Sequence, residues 1–333
     1  MRESQHHIFL LAAKHKKEDM AHLQELEALT KALSGLGIDE KSLISILGKS
    51  DPARRTTFRQ RSTHFFIEDE RSFERWDDHR INLLRLEFVR FENALVLWAM
   101  HPWERDARLV HEALTLVPQS YRVILEIACT RSSEELLGAR KAYHSLYDHS
   151  IEEDVAIHVT GSERKLLVAL VSAYRYEGPK VSEDAAKSEA KLIAKAIKNG
   201  DKKNPIDDDE VIRILTTRSK PHLKAIYKHY KEVSGKNINE DIEAADFILK
   251  ETAECLCNPH AYFSKVVDEA IRNDADHNTK KALTRVIVTR ADVDLKEIKE
   301  EYNSLYGVPL TQKIDDNANG NYKDLLLALM TRD

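Results

Sequence analysis

Residues 209–230 read DEVIRILTTRSKPHLKAIYKHY, and this stretch decides the fold. Apolar residues recur at spacings of three and four, as at Val211 and Leu215, which is the pattern of an amphipathic helix with one buried face. The second half of the stretch repeats that spacing after Pro221, a residue that suits the first turn of a helix. The pattern predicts one helix ending near residues 217–219 and another starting near Pro221.

The same pattern occurs three more times along the chain. Related strings are SLISILGKSDPARR from Ser42, RVILEIACTR from Arg122 and KALTRVIVTR from Lys281. A second apolar helix follows each string. In chain order these helices are predicted at 90–100, 162–174, 260–271 and 320–330. Two landmarks in constant order predict four helical repeats, each long enough for about five short helices.

The spacing of these landmarks predicts the organisation of the chain. An N-terminal segment is followed by two repeats, a linker with Gly178 and Pro179, and two further repeats. The predicted boundaries are 1–20 for the segment, 21–101 and 102–174 for repeats I and II, 175–190 for the linker, and 191–265 and 266–333 for repeats III and IV.

The composition supports an all-α fold. The 333 residues include only 10 glycines and 8 prolines. Sandwiches and barrels need turn residues at short intervals, and doubly wound sheets need glycines at their strand-to-helix turns. So few helix breakers favour long helices.

The charge balance and the apolar runs exclude several classes of protein. A net charge of −5 provides no overall positive field for nucleic acid, so no nucleic-acid partner is expected. Three cysteines are too few for a disulfide framework and fit a reducing cytoplasm. The apolar runs are too short for a signal peptide or a membrane span, so any membrane contact is expected to be peripheral.

The loop SGLGIDE at 34–40 lies between two predicted helices. Glycine permits positive φ, so a Gly-x-Gly turn can point several backbone carbonyls in one direction. Converging oxygens suit a hard cation such as Ca²⁺. Taken alone, however, such a loop is better explained as a simple helix connection.

The four repeats, this loop, the strings CTRS at 129–132 and LTTRS at 215–219, and LLVALVSAYRYEG at 166–178 together resemble the annexins, most closely plant annexins. The resemblance covers nearly the whole chain. It implies four repeats of five helices in a slightly curved disc. It also implies calcium sites on the convex face that bridge the protein to anionic phospholipid.

The resemblance assigns a first-repeat calcium site. The carbonyl donors would be Leu33, Gly35 and Gly37. The matching acidic position is Leu86, so the nearest acid, Glu87, is one residue out of register. Glu87 is therefore either a ligand or a solvated charge on a helix.

Repeats II and III depart further from the family pattern. The second-repeat loop has no glycine and its acidic position is His158. In the third repeat the matching region is Cys255-Leu256-Cys257, which contains no acid. We expect no calcium site in either repeat, and we expect the acids at 207–209 to begin a helix.

The fourth repeat has lost its glycine loop but keeps several acids. Asp274 and Asp276 lie in the loop, and Asp316 lies beside Asn317, which occupies the matching acidic position. Their oxygens could hold Ca²⁺ through side chains. The alternative is a solvated turn.

Other chemistry finds little support in the sequence. No arrangement of histidines predicts a catalytic centre, so the protein is expected not to be an enzyme. The resemblance places Cys129 and Cys257 where plant annexins are proposed to hold a sulfur cluster, whereas spacing alone favours buried free thiols. The tripeptide at 212–214 matches a motif proposed for actin, a weak indication of a cytoskeletal partner, although its periodicity favours core packing.

Two functional hypotheses remain. The first is calcium-dependent, reversible binding of a cytoplasmic protein to anionic phospholipid membranes. The second is a calcium-independent helical scaffold that binds membrane or protein partners by charge or by histidine protonation at acidic pH.

Overall fold

The computed structural model describes residues 24–25, 27–30, 40–81, 91–115, 121–199, 204–243, 247–272, 274–318 and 320–332. Helices dominate these residues, so the all-α prediction is confirmed. The chain divides into two compact units, one of Met1–His101 with Val267–Asp333 and one of Pro102–Val266. The first unit therefore joins the predicted first and fourth repeats, and the second unit holds the second and third.

The first repeat combines helices with a β-hairpin. Its described elements are α1 (Glu40–Leu47), α2 (Pro52–Arg61), β1 (Phe66–Asp69), β2 (Phe73–Trp76) and α3 (Phe91–Ala99). Residues 24–25, 27–30 and 78–81 are also helical.

The hairpin was not predicted. Its strands are antiparallel and pair Phe66 with Trp76, whose ring centroids lie 4.4 Å apart. Both rings are buried, and Ser72 in the connecting turn has a left-handed φ of 65°. Strands of four residues are too short to show a clear alternation, which explains why the sequence pattern did not reveal them.

The second repeat has the expected five helices. They are α4 (Pro102–Thr115), α5 (Tyr121–Thr130), α6 (Ser133–Tyr147), α7 (Ile151–His158) and α8 (Glu163–Val171). Ser132 and Ser150 begin α6 and α7 with capping boxes, in which a glutamate three residues later bonds back to the cap. These local signals fix where the helices start.

The third repeat follows the same order. It contains α9 (Glu183–Lys198), a short 3-10 turn (Pro205–Asp207), α10 (Asp209–Thr217), α11 (Lys220–Ser234), α12 (Ile238–Glu243) and α13 (Phe247–Cys257).

Several predictions for the third repeat can be compared with these bounds. The break between α10 and α11 lies where the sequence predicted it. Asp208 caps α10, which confirms the helix start predicted at 207–209. Because α9 begins at Glu183, the connection without helix is shorter than the predicted linker 175–190.

The predicted boundary between repeats III and IV, at 265/266, falls inside one of the helices of this region. The helices of the fourth repeat are α14 (Pro259–Ile271), α15 (His277–Arg290), α16 (Leu295–Tyr306), α17 (Leu310–Asn317) and α18 (Gly320–Met330). The helix expected to close the third repeat, at 260–271, is instead the first helix of the fourth, and α13 closes the third. Both helices are apolar and only Asn258 separates them, so periodicity alone could not distinguish them.

In the first unit, Trp98 of α3 ties several segments together. Its indole N–H donates to the carbonyl of Leu47 at 2.8 Å. The guanidinium of Arg55 lies 3.7 Å from the ring centroid and that of Arg332 lies 4.9 Å away. Asp292 pairs with both arginines. The last described residues of the chain thus help to enclose a first-repeat side chain.

Candidate functional site

The predicted calcium site of the first repeat has two parts. One is the loop between the first and second helices, and the other is the segment that precedes the fifth helix. Leu33, Gly35, Gly37 and Glu87 all fall outside the residues that the structure describes. The first-repeat site therefore stays a prediction from the sequence.

The structure does locate the matching acidic position in the other repeats. In the second and fourth repeats it is the last residue of the fourth helix, His158 in α7 and Asn317 in α17. In the third repeat, Glu243 lies as far before Pro259 as Leu86 lies before Pro102. The assignment of Cys255 to this position was wrong, because it took α14 for the closing helix of the third repeat.

Glu243 is therefore a candidate residue that sequence reasoning missed. The signal that could have revealed it is the proline that opens the next repeat. Pro102 starts α4 directly after the first repeat, and Pro259 starts α14 in the same way. Aligning these two prolines places the fifth helix of the third repeat at α13 and the acidic position at Glu243.

In the second repeat, His158 is held by the protein rather than left open to a cation. Its Nδ1 lies 2.9 Å from the carbonyl oxygen of Asp154. The carboxylate of Asp154 accepts a hydrogen bond of 2.5 Å from Tyr143, whose hydroxyl lies 3.2 Å from Nδ1 of His111. Burial lowers the pKa of His111 and outweighs the opposing attraction of Asp154. This network supplies no carboxylate at the matching position.

Polar side chains in the described end of the loop between α9 and α10, from residue 204, serve as caps and ion pairs. The side chain of Asn204 accepts from the N–H of Ile206 at 3.2 Å. The carboxylate of Asp208 accepts from the N–H of Glu210 at 2.9 Å, and Asp209 pairs with Lys165 at 2.9 Å. Any ion at this loop would compete with these contacts.

The fourth-repeat acids do not form a preorganised site. Asp274, Asp276 and Asp316 are all exposed. Both carboxylate oxygens of Asp276 accept bonds from Thr279, one from its N–H at 2.9 Å and one from its hydroxyl at 2.8 Å, which caps α15. Among the described residues, no group of three or more His, Cys, Asp or Glu side chains is spaced to hold a metal ion. The arrangement fits a capped, solvated turn better than a side-chain calcium site.

All three cysteines are free, and Cys129 and Cys255 are buried, as the spacing favours, whereas Cys257 is half-buried. Cys255 hydrogen-bonds the thiol of Cys129, and this contact lowers the pKa of Cys129. Burial raises the pKa of Cys257 to about 12, although Tyr227 hydrogen-bonds it. The thiol that hydrogen-bonds Cys129 is thus Cys255 and not Cys257.

The proposed actin tripeptide is part of the core. Ile212 and Ile214 are buried, as the packing interpretation predicts. Arg213 pairs with Glu210 at 2.9 Å and with Glu189 at 3.1 Å. The cytoskeletal hypothesis therefore loses the surface motif on which it rested.

Membrane insertion by a spanning helix also finds no candidate. Within the part of the chain that the structure covers, every helix is too short or too polar to cross a bilayer.

Comparison with known proteins agrees with this architecture. A family model described as Annexin matches residues 105–170, 192–246 and 273–329. The chain is 54% identical to annexin D4 of Arabidopsis thaliana over 319 residues, which covers 94% of this chain and 99% of annexin D4. It is 44% identical to annexin Gh1 of Gossypium hirsutum over 313 residues, or 92% of this chain and 94% of that one.

Solved structures show the same fold. Annexin III superposes with a TM-score of 0.80 at 27% identity and 93% coverage of both chains. Chicken annexin V in complex with Zn²⁺ superposes with a TM-score of 0.77 at 26% identity, covering 94% of this chain and 96% of that chain.

Proposed function

Because the chain belongs to the annexin family, we propose that it binds anionic phospholipid membranes reversibly when calcium is present. The observation that carries the proposal is the Gly-x-Gly loop of the first repeat, at Gly35 and Gly37, in a chain of this family. The protein acts by binding at the cytoplasmic membrane surface, peripherally, and not by catalysis.

The role of this chain's own residues follows from charge. A protein of net charge −5 is repelled by an anionic leaflet, whose surface potential is about −30 mV. The carbonyl oxygens of Leu33, Gly35 and Gly37, with Glu87, would hold the ion at the loop. A bound Ca²⁺ supplies local positive charge between two acidic surfaces.

The other repeats contribute less. In the third repeat, Glu243 is at the acidic position, but the neighbouring loop has no Gly-x-Gly sequence. In the fourth repeat, Asp274, Asp276 and Asp316 are secondary candidates, and the cap made by Asp276 favours the solvated turn. We therefore assign most of the calcium dependence to the first repeat.

Sedimentation with phosphatidylserine vesicles tests the proposal. Adding Ca²⁺ should raise the bound fraction, and chelator should reverse it. Gly37→Glu should lower the calcium-dependent fraction by at least about fivefold, because a side chain and a negative charge enter the carbonyl turn. Gln60→Glu is the matched control, since it adds the same charge at an exposed residue of α2 and should change little.

Two outcomes would contradict the proposal. Equal binding in calcium and in chelator at neutral pH would remove the calcium mechanism. Binding in chelator that appears only as the pH falls from 7.5 towards 5 would favour the histidine-dependent scaffold instead.

A further inference from the structure

The first helix of the third repeat carries a row of lysines that calcium binding does not use. Lys187, Lys191, Lys195 and Lys198 of α9 follow one another at spacings of four, four and three. Residues at these spacings lie on one side of a helix. With a rise of about 1.5 Å per residue, the row is about 16 Å long.

A second row lies on α11. Lys224, Lys228 and Lys231 are spaced by four and three, so they also share one side of their helix. Buried residues of α11, such as Leu223 and Ile226, occupy the opposite side. The lysine row therefore faces away from the core.

The two helices pack side by side in opposite directions. Near one end, Nε2 of His229 in α11 lies 2.8 Å from the carboxylate of Glu183 in α9. Nearer the other end, Nε2 of His222 lies 3.0 Å from Glu189. As the residue number rises along α11, its partner's number falls along α9, which defines the antiparallel arrangement.

The two lysine rows lie next to each other, because one carboxylate is close to a lysine of each row. Glu232 of α11 interacts electrostatically with Lys187 of α9 and with Lys228 of its own helix. A lysine of each row therefore lies near the same group. We call the seven lysines of the two rows the lysine surface.

The lysine surface is exposed, and in the described residues its ammonium groups form no ion pair with a carboxylate. All seven side chains are exposed, and within the described chain none of their ammonium groups takes part in a hydrogen bond or salt bridge. The two helices contain eight lysines against four carboxylates. Of these carboxylates, Glu189 is buried, and Glu183 and Glu232 are both bound to His229. A cationic area thus stands on a protein whose net charge is negative.

We propose that the lysine surface binds an anionic lipid bilayer without calcium. Clusters of four to eight lysines on a helical surface are typical of contacts with anionic lipid. Two rows of long, flexible cations spread charge over an area and form no pocket, which suits a diffuse negative plane. Leu192, beside Lys191, is 42% exposed and adds an apolar contact of the kind that enters the lipid interface. This inference does not depend on the calcium-bound mode.

Vesicle sedimentation in chelator at pH 7.5 and low ionic strength tests the proposal that the lysine surface binds anionic lipid. Phosphatidylserine vesicles provide the anionic surface and phosphatidylcholine vesicles the neutral one. The test variant is Lys191→Glu/Lys195→Glu/Lys228→Glu. The matched control is Lys141→Glu/Lys180→Glu/Lys296→Glu, which changes net charge equally at exposed lysines outside the surface. The wild type should bind phosphatidylserine vesicles, and the test variant should lose at least about tenfold in bound fraction while the control loses at most about threefold. Salt at 0.5 M should abolish the difference.

Three results would overturn the proposal. They are no wild-type binding in chelator, equal losses in the two triple variants, and equal binding to the two kinds of vesicle. Binding to polyglutamate is measured in parallel as a model of an acidic protein. If the test variant loses that binding but binds vesicles as well as the wild type does, the surface is assigned to an acidic protein instead. The increment on adding Ca²⁺ is measured separately and should persist in the test variant, so failure of this proposal is distinguishable from failure of the calcium mechanism. Circular dichroism checks that both variants are folded.

Discussion

The second and third repeats each have an arginine at the equivalent position, and its contacts differ between the two. Arg131 follows the end of α5 in CTRS, and Arg218 follows the end of α10 in TTRS. In the second repeat, Arg131 makes two parallel bonds to Asp106 of α4, at 2.6 and 2.8 Å. In the third repeat, Glu189 of α9 takes the place of that aspartate.

Glu189 has several partners rather than one. It accepts hydrogen bonds from Arg218 at 2.5 and 2.9 Å, from Arg213 at 3.1 Å and from His222 at 3.0 Å. Burial would raise the pKa of Glu189, but these bonds, led by the one from Arg218, hold it below its usual value.

Burial separates the two arrangements further. The side chains of Arg131 and Asp106 are 8% and 3% exposed, whereas that of Arg218 is 38% exposed. Burial alone would lower the pKa of Arg131, but Asp106 raises it well above its usual value. The second repeat therefore holds its buried carboxylate with one buried ion pair. The third repeat holds its buried carboxylate with several partners, and one of these is partly exposed to water.

The largest effect is expected from Arg131→Ala. This change leaves the carboxylate of Asp106 buried without its partner, so the free energy of unfolding should fall by about 3–5 kcal/mol. Denaturant titration measures the loss. The double variant Arg131→Met/Asp106→Leu should recover most of it, because it removes both charges. A loss below about 1 kcal/mol for the single variant would show that the pair is not isolated.

A smaller effect is expected from Arg218→Ala. Arg213 and His222 still bind Glu189, and water already reaches the guanidinium of Arg218, so the loss should be about 1–2 kcal/mol. The same titration applies. A loss equal to that of Arg131→Ala would contradict the view that the third-repeat cluster is redundant.

The smallest effect concerns pH and the contact between α9 and α11. Hydrogen bonds to Glu232, and then to Glu183, raise the pKa of His229. The protonated ring is thus favoured in the folded state. Its stabilising contribution is complete below the ordinary pKa of 6.5 and is lost as the pH rises through the raised pKa. Between pH 6 and 8, the melting temperature of the wild type should fall more than that of His229→Gln. His79→Gln, at an exposed site, should keep the wild-type slope.

Much of the fold could be predicted because its signals are local. The break at Pro221 and the helix start at Asp208 depend on neighbouring residues only, and both are confirmed. The order of α13 and α14 could not be read from periodicity, because either helix has a suitable apolar face. Similarly, spacing tells on which face of its helix Cys129 lies, but not that Cys255 is the thiol on the neighbouring helix.

The candidate site was harder to predict than the fold. The sequence predicts His158 and Asn317 at the acidic position, and both residues end their helices, α7 and α17. It does not predict Glu243 there, because the third repeat is predicted to extend into α14. The role of Asp276 was open for a different reason. A carboxylate before a helix can bind an ion or cap the helix, and only the contacts with Thr279 distinguish these roles.

The enclosure of Trp98 by Arg55 and Arg332 has a consequence for biosynthesis. Residues 102–266 form a contiguous unit, so all of its contacts become available while the ribosome is still translating the remainder. The other unit is split, and residues 1–101 must wait for 267–333 to emerge before Arg332 can reach the indole and Asp292 can pair with Arg55. Nascent first-repeat segments therefore spend the longest time without their final neighbours.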